Sequence, residues 1–194
     1  MVNYKSPQLM KRTFIAVSIP LLPSVAALLT NLKIKLKNDN IKWVEIHNMH
    51  ITLFFLGDTD SNKISEISTF LVETFSNFST FEVELRGIGM FSKQGNPQVI
   101  WIGMKNYDQL VVLKKSIDIQ LVEMGFNADN RPFKPHLTLG RIKYASNKNL
   151  LKNLVKDYEN TQLGTIKINE IIFYESELTR SGPIYTPIKK IMLV

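Results

Sequence analysis

Two of the chain's three histidines share one sequence context. "NMHITLFFLG" at residues 48–57 and "PFKPHLTLGR" at 132–141 each place a histidine two residues before a threonine, within an apolar alternation. Residues i and i+2 of a strand project to one face, so His50 points with Thr52 and His136 with Thr138. Ile51, Leu53, Leu137 and Leu139 then point the other way, into a core. Two opposed imidazoles suit a reaction that removes one proton and delivers another, because a pKa near ~6.5 lets one be neutral while the other is protonated. Threonine hydroxyls add uncharged hydrogen-bond donors. Together these groups fit in-line attack on a phosphodiester: one histidine activates the attacking water, the other protonates the leaving oxygen, and the hydroxyls hold non-bridging oxygens whose charge builds in the transition state.

The bland alternative is a core histidine beside a strand-favouring threonine, and for a single H-x-T it is the better reading. The repeat makes the difference. The two histidines are separated by 86 positions, and at that offset the two halves of the chain correspond. "TFIAVSI" (13–19) falls on "VIWIGMK" (99–105), both reading as buried strands. A helix over 23–37, with Val25, Leu29, Leu32 and Leu36 on one stripe, falls on one carrying Leu110, Leu113, Ile117, Leu121 and Met124, with Gly125 as its stop. After the motif strands come helices with Ile64, Ile67, Leu71, Phe75 and Phe78 in one half and Leu150, Leu151, Leu154 and Tyr158 in the other, capped by Ser61 or Asn62 and by Asn147. Each half closes with one long strand, at 81–91 and 166–176, and "IYTPIKKIMLV" adds a last strand after the turn "SGP".

A β-α-β-α-β order used twice predicts an α+β fold of two pseudo-symmetric lobes, antiparallel sheets with outer helices, facing each other across a central groove. The expected organisation is one bilobal domain over 1–194, with repeats at about 13–91 and 99–176 and a flexible arm over 1–11.

Composition narrows the chemistry. The net charge of +7 favours polyanionic or phosphorylated partners. The absence of cysteine excludes disulfides, thiolate nucleophiles and cysteine-ligated metals, and fits a reducing cytoplasm. Lys11 and Arg12 ahead of an apolar run imitate a secretion signal, but Pro20 and Pro23 break the run, which reads as strand, turn and helix. No stretch approaches the ~20 uninterrupted apolar residues of a membrane span. A zinc site would have only His47, His50 and His136 to draw on, with no carboxylate at a telling spacing, and His47 reads as a loop residue.

The motifs resemble the two-histidine (2H) phosphoesterases, in particular the RNA 2′,3′-cyclic phosphodiesterases once called 2′-5′ RNA ligases. "RTFIAVSIP", "WVEIHNMHITLFFLG", "FEVELRGIGMF", "PQVIWIGM", "RPFKPHLTLGR" and "YESELTRSGPIYTPI" follow the family's order from about residue 12 to the C-terminus. The resemblance implies metal-independent and cofactor-free opening of a 2′,3′-cyclic phosphate to a 2′-phosphate by a monomer acting on RNA ends, with His50, Thr52, His136 and Thr138 catalytic. Within that reading His50 is assigned as proton donor and His136 as acceptor. Arg141, five residues after His136, matches a family arginine associated with phosphate; the equivalent place in the first motif holds Phe55. Arg131 and Lys134, with Arg12 and Lys42, are further candidates to line the groove, and Phe14, Phe54 or Phe133 to stack on a base. Joining of RNA ends through a 2′-5′ linkage, hydrolysis of a small cyclic nucleotide, and a non-catalytic RNA-binding module are the alternatives. No glycine loop for ATP is apparent.

Overall fold

The computed structural model describes residues 10–129 and 131–194. Most of the expected N-terminal arm lies outside these residues, and Lys11 already belongs to the first strand. In chain order the elements are β1 (Lys11–Ser18), α1 (Pro23–Lys35), β2 (Asn40–Trp43), β3 (His50–Thr59), α2 (Ser61–Phe75), β4 (Phe81–Lys93), β5 (Asn96–Lys105), α3 (Asp108–Glu123), β6 (Leu137–Tyr144), α4 (Lys148–Asp157), β7 (Gln162–Ile168), β8 (Glu170–Leu178) and β9 (Pro183–Met192). A 3-10 turn at Ile46–Asn48 precedes β3.

Local chemistry sets the helix ends. Pro23 opens α1, where its missing N–H costs nothing. The side chain of Asp60 accepts from the backbone of Asn62 and Lys63 to cap α2, one residue before the expected Ser61. Asn147 caps α4 in the same way, as expected. At the end of α3, Gly125 adopts φ 91°, Phe126 N–H donates to the Leu121 carbonyl, and Gly125 N–H donates to that of Val122. This is a glycine-dependent stop at the residue the sequence indicated.

Two antiparallel sheets result, ordered β3-β1-β8-β9 and β2-β6-β5-β4-β7. The strand expected over 166–176 is two strands. It breaks at Asn169: β7 pairs with β4 in the second sheet, whereas β8 pairs with β1 in the first. Each half of the chain thus sends its closing strand into the other half's sheet. β4 leaves the first half to pair with β5, and β8 returns to pair with β1. The helices follow the same exchange, α3 packing near β3 and α1 near β7. The short β2, not anticipated from the sequence, pairs with β6 and so carries first-half residues into the second sheet.

Behind the motif strands, Ile51, Leu53, Leu137 and Leu139 are each 1% exposed or less, within one connected apolar core that includes Leu32, Leu71, Ile117 and Phe173. Burying each such side chain contributes roughly 1.5–3 kcal/mol. At the groove end of the second sheet, Gly89 of β4 sits directly opposite Trp101 of β5. The indole folds across the glycine, and a β-carbon on residue 89 would overlap its ring carbons. Gly89→Ala is therefore expected to lower stability by about 1–3 kcal/mol through overpacking. The check is the urea midpoint, with Gly95→Ala as comparison: its β-carbon would meet no atom, and its cost comes only from its φ of 74°.

Candidate active site

β3 and β6 approach each other across the groove between the sheets. His50 begins β3 and His136 immediately precedes β6. Strict alternation would place the residue five positions after each histidine on the opposite face. Both motif strands avoid this with a β-bulge. In β3, Thr52 pairs with Ala16 and Phe54 with Ile15, leaving Leu53 as the extra residue. In β6, Thr138 pairs with Trp101 and Gly140 with Ile100, leaving Leu139 extra. Each bulge reverses the parity beyond it. Phe55 and Arg141 consequently join the histidine and threonine of their own strand on the groove face. The resemblance matched Arg141 to a phosphate-associated arginine; the bulge is what turns it toward the groove.

The two imidazoles are held alike. His50 Nδ1 lies 2.7 Å from the Asn48 carbonyl oxygen, and His136 Nδ1 lies 2.8 Å from that of Lys134. A carbonyl only accepts, so Nδ1 carries a proton in both rings and Nε2 is the atom that titrates. Asn48 is itself fixed, its side-chain amide donating to the Pro183 carbonyl at 3.1 Å. Among the described residues the hydroxyls of Thr52 and Thr138 have no hydrogen-bond partner, so they are free to meet a ligand.

Aromatic rings back each histidine. His50 lies 5.0 Å from Phe14 and 5.2 Å, edge to face, from Tyr185; Phe14 in turn stacks on Tyr174 at 5.0 Å. His136 lies 4.9 Å from Phe91 and 6.1 Å from Trp101. Burial against these walls is the largest cause holding both histidine pKa values below the ordinary 6.5. The carbonyl hydrogen bonds oppose it, and the Arg141 charge lowers both further. His136 also lowers His50, and Lys134 lowers His136. Both rings thus lie within range of the Arg141 charge. Burial likewise raises the Tyr185 hydroxyl, against the charges of Arg141 and Arg12.

Several other sequence candidates fall in different surroundings. Lys134 places its ammonium 4.7 Å over the Trp101 ring, beside His136. Lys42 of β2 is directly opposite Arg141 of β6, so both cations share the groove face, and neither makes an ion pair among the described residues. Arg131 is exposed and committed to Asp129, whose carboxyl it holds down at about 2. Phe14 is 3% exposed, so it supports His50 from behind and offers no open face for stacking; Phe54 is buried as well. His47 is exposed in the 3-10 turn. Among the described residues no three His, Cys, Asp or Glu side chains gather as a metal site would need. Phe91, Trp101, Tyr174 and Tyr185 were not singled out from the sequence. Their parity on β4, β5, β8 and β9 is the only signal, and it is readable once the pairing is known.

A profile of the 2′-5′ RNA ligase superfamily matches residues 22–180. A protein of Methanothermobacter thermautotrophicus named RNA 2′,3′-cyclic phosphodiesterase is 35% identical over 153 residues, 79% of this chain and 83% of its own. One of the same name from Methanocaldococcus jannaschii is 36% identical over 179 residues, covering 92% and 99%. The crystal structure of a Thermus thermophilus protein, TT0787, superposes with a TM-score of 0.77 at 25% identity, covering 94% of this chain and 97% of that one.

Arg141→Gln is expected to raise the pKa of His50 and of His136 together, and His136→Ala to raise that of the remaining His50. Imidazole NMR titration reads both. A third consequence follows from linkage. Because both folded-state values lie below the unfolded value, the unfolded chain binds more protons between them, and stability falls as pH drops through about 6.5.

Proposed function

The chain belongs to the 2′-5′ RNA ligase superfamily, and on that premise we propose that it is an RNA 2′,3′-cyclic phosphodiesterase that opens the cyclic phosphate at RNA ends to leave a 2′-phosphate. The observation that carries the reading is the matched pair of H-x-T strands, with each Nε2 free and Arg141 acting on both rings. In the proposed reaction His136 Nε2 takes a proton from water as the water oxygen attacks phosphorus. The bond from phosphorus to O3′ breaks, and that oxygen takes the proton from His50 Nε2. The products are a 2′-phosphomonoester and a 3′-hydroxyl.

We take His136 as the base and His50 as the acid from the family resemblance; Lys134 beside His136 favours its neutral form, and burial, Arg141 and His136 lower His50 as well. Thr52 and Thr138 supply hydroxyls to the non-bridging oxygens, and Arg141 with Lys42 balances the charge that accumulates on them. Lys134 is placed to add a third cation. Arg131, held by Asp129, belongs to the rim of this reading, and Phe14 to the support of His50. Both motifs come from one chain, so a monomer suffices. No helix among the described residues is long and apolar enough to cross a membrane, and an RNA-end enzyme without cysteine suits the cytoplasm.

The test is an oligoribonucleotide ending in a 2′,3′-cyclic phosphate, incubated with protein in EDTA, with 2′- and 3′-phosphate products resolved. Expected is conversion to the 2′-phosphate, reduced at least ~10²-fold in His50→Ala and in His136→Ala with unchanged circular dichroism. Near-normal turnover in either variant would overturn the two-histidine mechanism. The pH profile of kcat/KM should be bell-shaped with its maximum below about 6.5, since both free-enzyme values are lowered. The profile of kcat should lie higher, because a bound phosphate anion favours each imidazolium.

A further inference from the structure

The repeat puts a cation at position +5 of the second motif and an aromatic ring, Phe55, at +5 of the first. Past its bulge, Phe55 faces the groove, yet it is 51% exposed where its neighbours Phe14 and Phe54 are 3% and 4% exposed. Nothing in core packing calls for a half-exposed phenyl ring there. The guanidinium that the first motif lacks is supplied by the adjacent strand. Arg12 and Phe14 of β1 project to the same face, and Arg12 holds its Cζ 4.7 Å from the centroid of the Phe55 ring. Asp58 is its cross-strand partner, but Arg12 forms no ion pair among the described residues. An arginine stacked on an exposed ring and left without a carboxylate is a cation in place for an anion. This pair is also continuous with the reacting centre. Tyr185 lies against His50, and the charges of both Arg12 and Arg141 act on its hydroxyl.

Resting on the phosphodiesterase reading, we infer that Arg12 and Phe55 form a second subsite that holds an upstream nucleotide of a single-stranded RNA, its phosphate on the Arg12 guanidinium and its base on the exposed surface of Phe55. Single strands are gripped by this combination of a stacking surface and a cation tracking the backbone. The subsite gives the enzyme a reason to prefer an RNA end over a free cyclic mononucleotide. It takes any base, since every base has a stacking face. It lies on the β1–β3 side of the groove, so the strand leaves the reacting centre past Tyr185.

The experiment compares wild type, Arg12→Met and Phe55→Ala on a nucleoside 2′,3′-cyclic phosphate and on di- and trinucleotides with the same end. Both side chains are exposed enough that their loss leaves the core intact, which thermal melting verifies. Expected is a roughly tenfold fall in kcat/KM on the oligonucleotides, carried by KM, with less than about twofold change on the mononucleotide. The shortest substrate that shows the fall identifies the nucleotide held. Equal losses on all substrates, or none on the oligonucleotides, would overturn the subsite. Fluorescence anisotropy of a labelled trinucleotide ending in a 2′-phosphate separates this from the reaction itself. If wild type turns over no substrate, the phosphodiesterase reading fails, and the subsite stands or falls on whether Arg12→Met weakens trinucleotide binding and reduces its salt slope by about 0.7.

Discussion

The site depends on a constraint of parity. A strand offers alternate residues to each face, so a histidine at one position and an arginine five positions later cannot both face the groove unless one residue is taken out of the ladder. Leu139 is that residue in β6, as Leu53 is in β3. Without the bulge, Arg141 would aim its guanidinium into an interior where Leu137 and Leu139 are fully buried, at a desolvation cost no neighbour could offset. With it, the extra leucine adds to the core, and the arginine joins the imidazoles. Packing and the placement of the cation are set by one irregularity: the apolar residue that breaks the alternation anchors the strand that carries Arg141.

The exchange of closing strands has a similar double effect. Because β4 completes the second sheet and β8 the first, neither half of the chain can form its sheet without the other. The two groove walls are tied together by the chain itself, most tightly at Asn169, which joins β7 of one sheet to β8 of the other. Such rigidity suits the proposed reaction, in which two imidazoles flank one phosphorus. The backbone carbonyls of Asn48 and Lys134 fix each ring's tautomer, the aromatic walls fix its plane, and the interlocked sheets fix the distance between the two.

Much of this was legible before any coordinates. The doubled motif gave His50, Thr52, His136 and Thr138 and their common face, because a period of two leaves a direct trace in the residue order. The helices were equally plain, down to Gly125 and Asn147. What stayed hidden has physical causes. The break between β7 and β8 leaves the chain extended on both sides, so apolar content does not mark it; its one trace is a slip in alternation from Ile166 and Ile168 to Ile171 and Phe173. Asp60, one residue before Ser61, caps α2 by accepting from the backbone N–H of both Asn62 and Lys63. The burial of Phe14 and the arrival of Tyr185 beside His50 depend on pairing between residues far apart in sequence, which composition and periodicity do not encode.

The pseudo-symmetry is close in backbone and broken in chemistry, and the break is what a directional reaction needs. Two identical imidazole environments would titrate as an equal pair, with no preference for which gives and which takes the proton. Here Lys134 stands beside His136, while the matching position of the first motif is Asn48, which contributes the carbonyl but no charge. Arg141 faces the groove at +5 of the second strand, and Phe55 at +5 of the first. The substitutions between the halves thus set Lys134 and Arg141 at the second motif against Asn48 and Phe55 at the first, so the cradle is symmetric in backbone and directional in the side chains beside its two imidazoles.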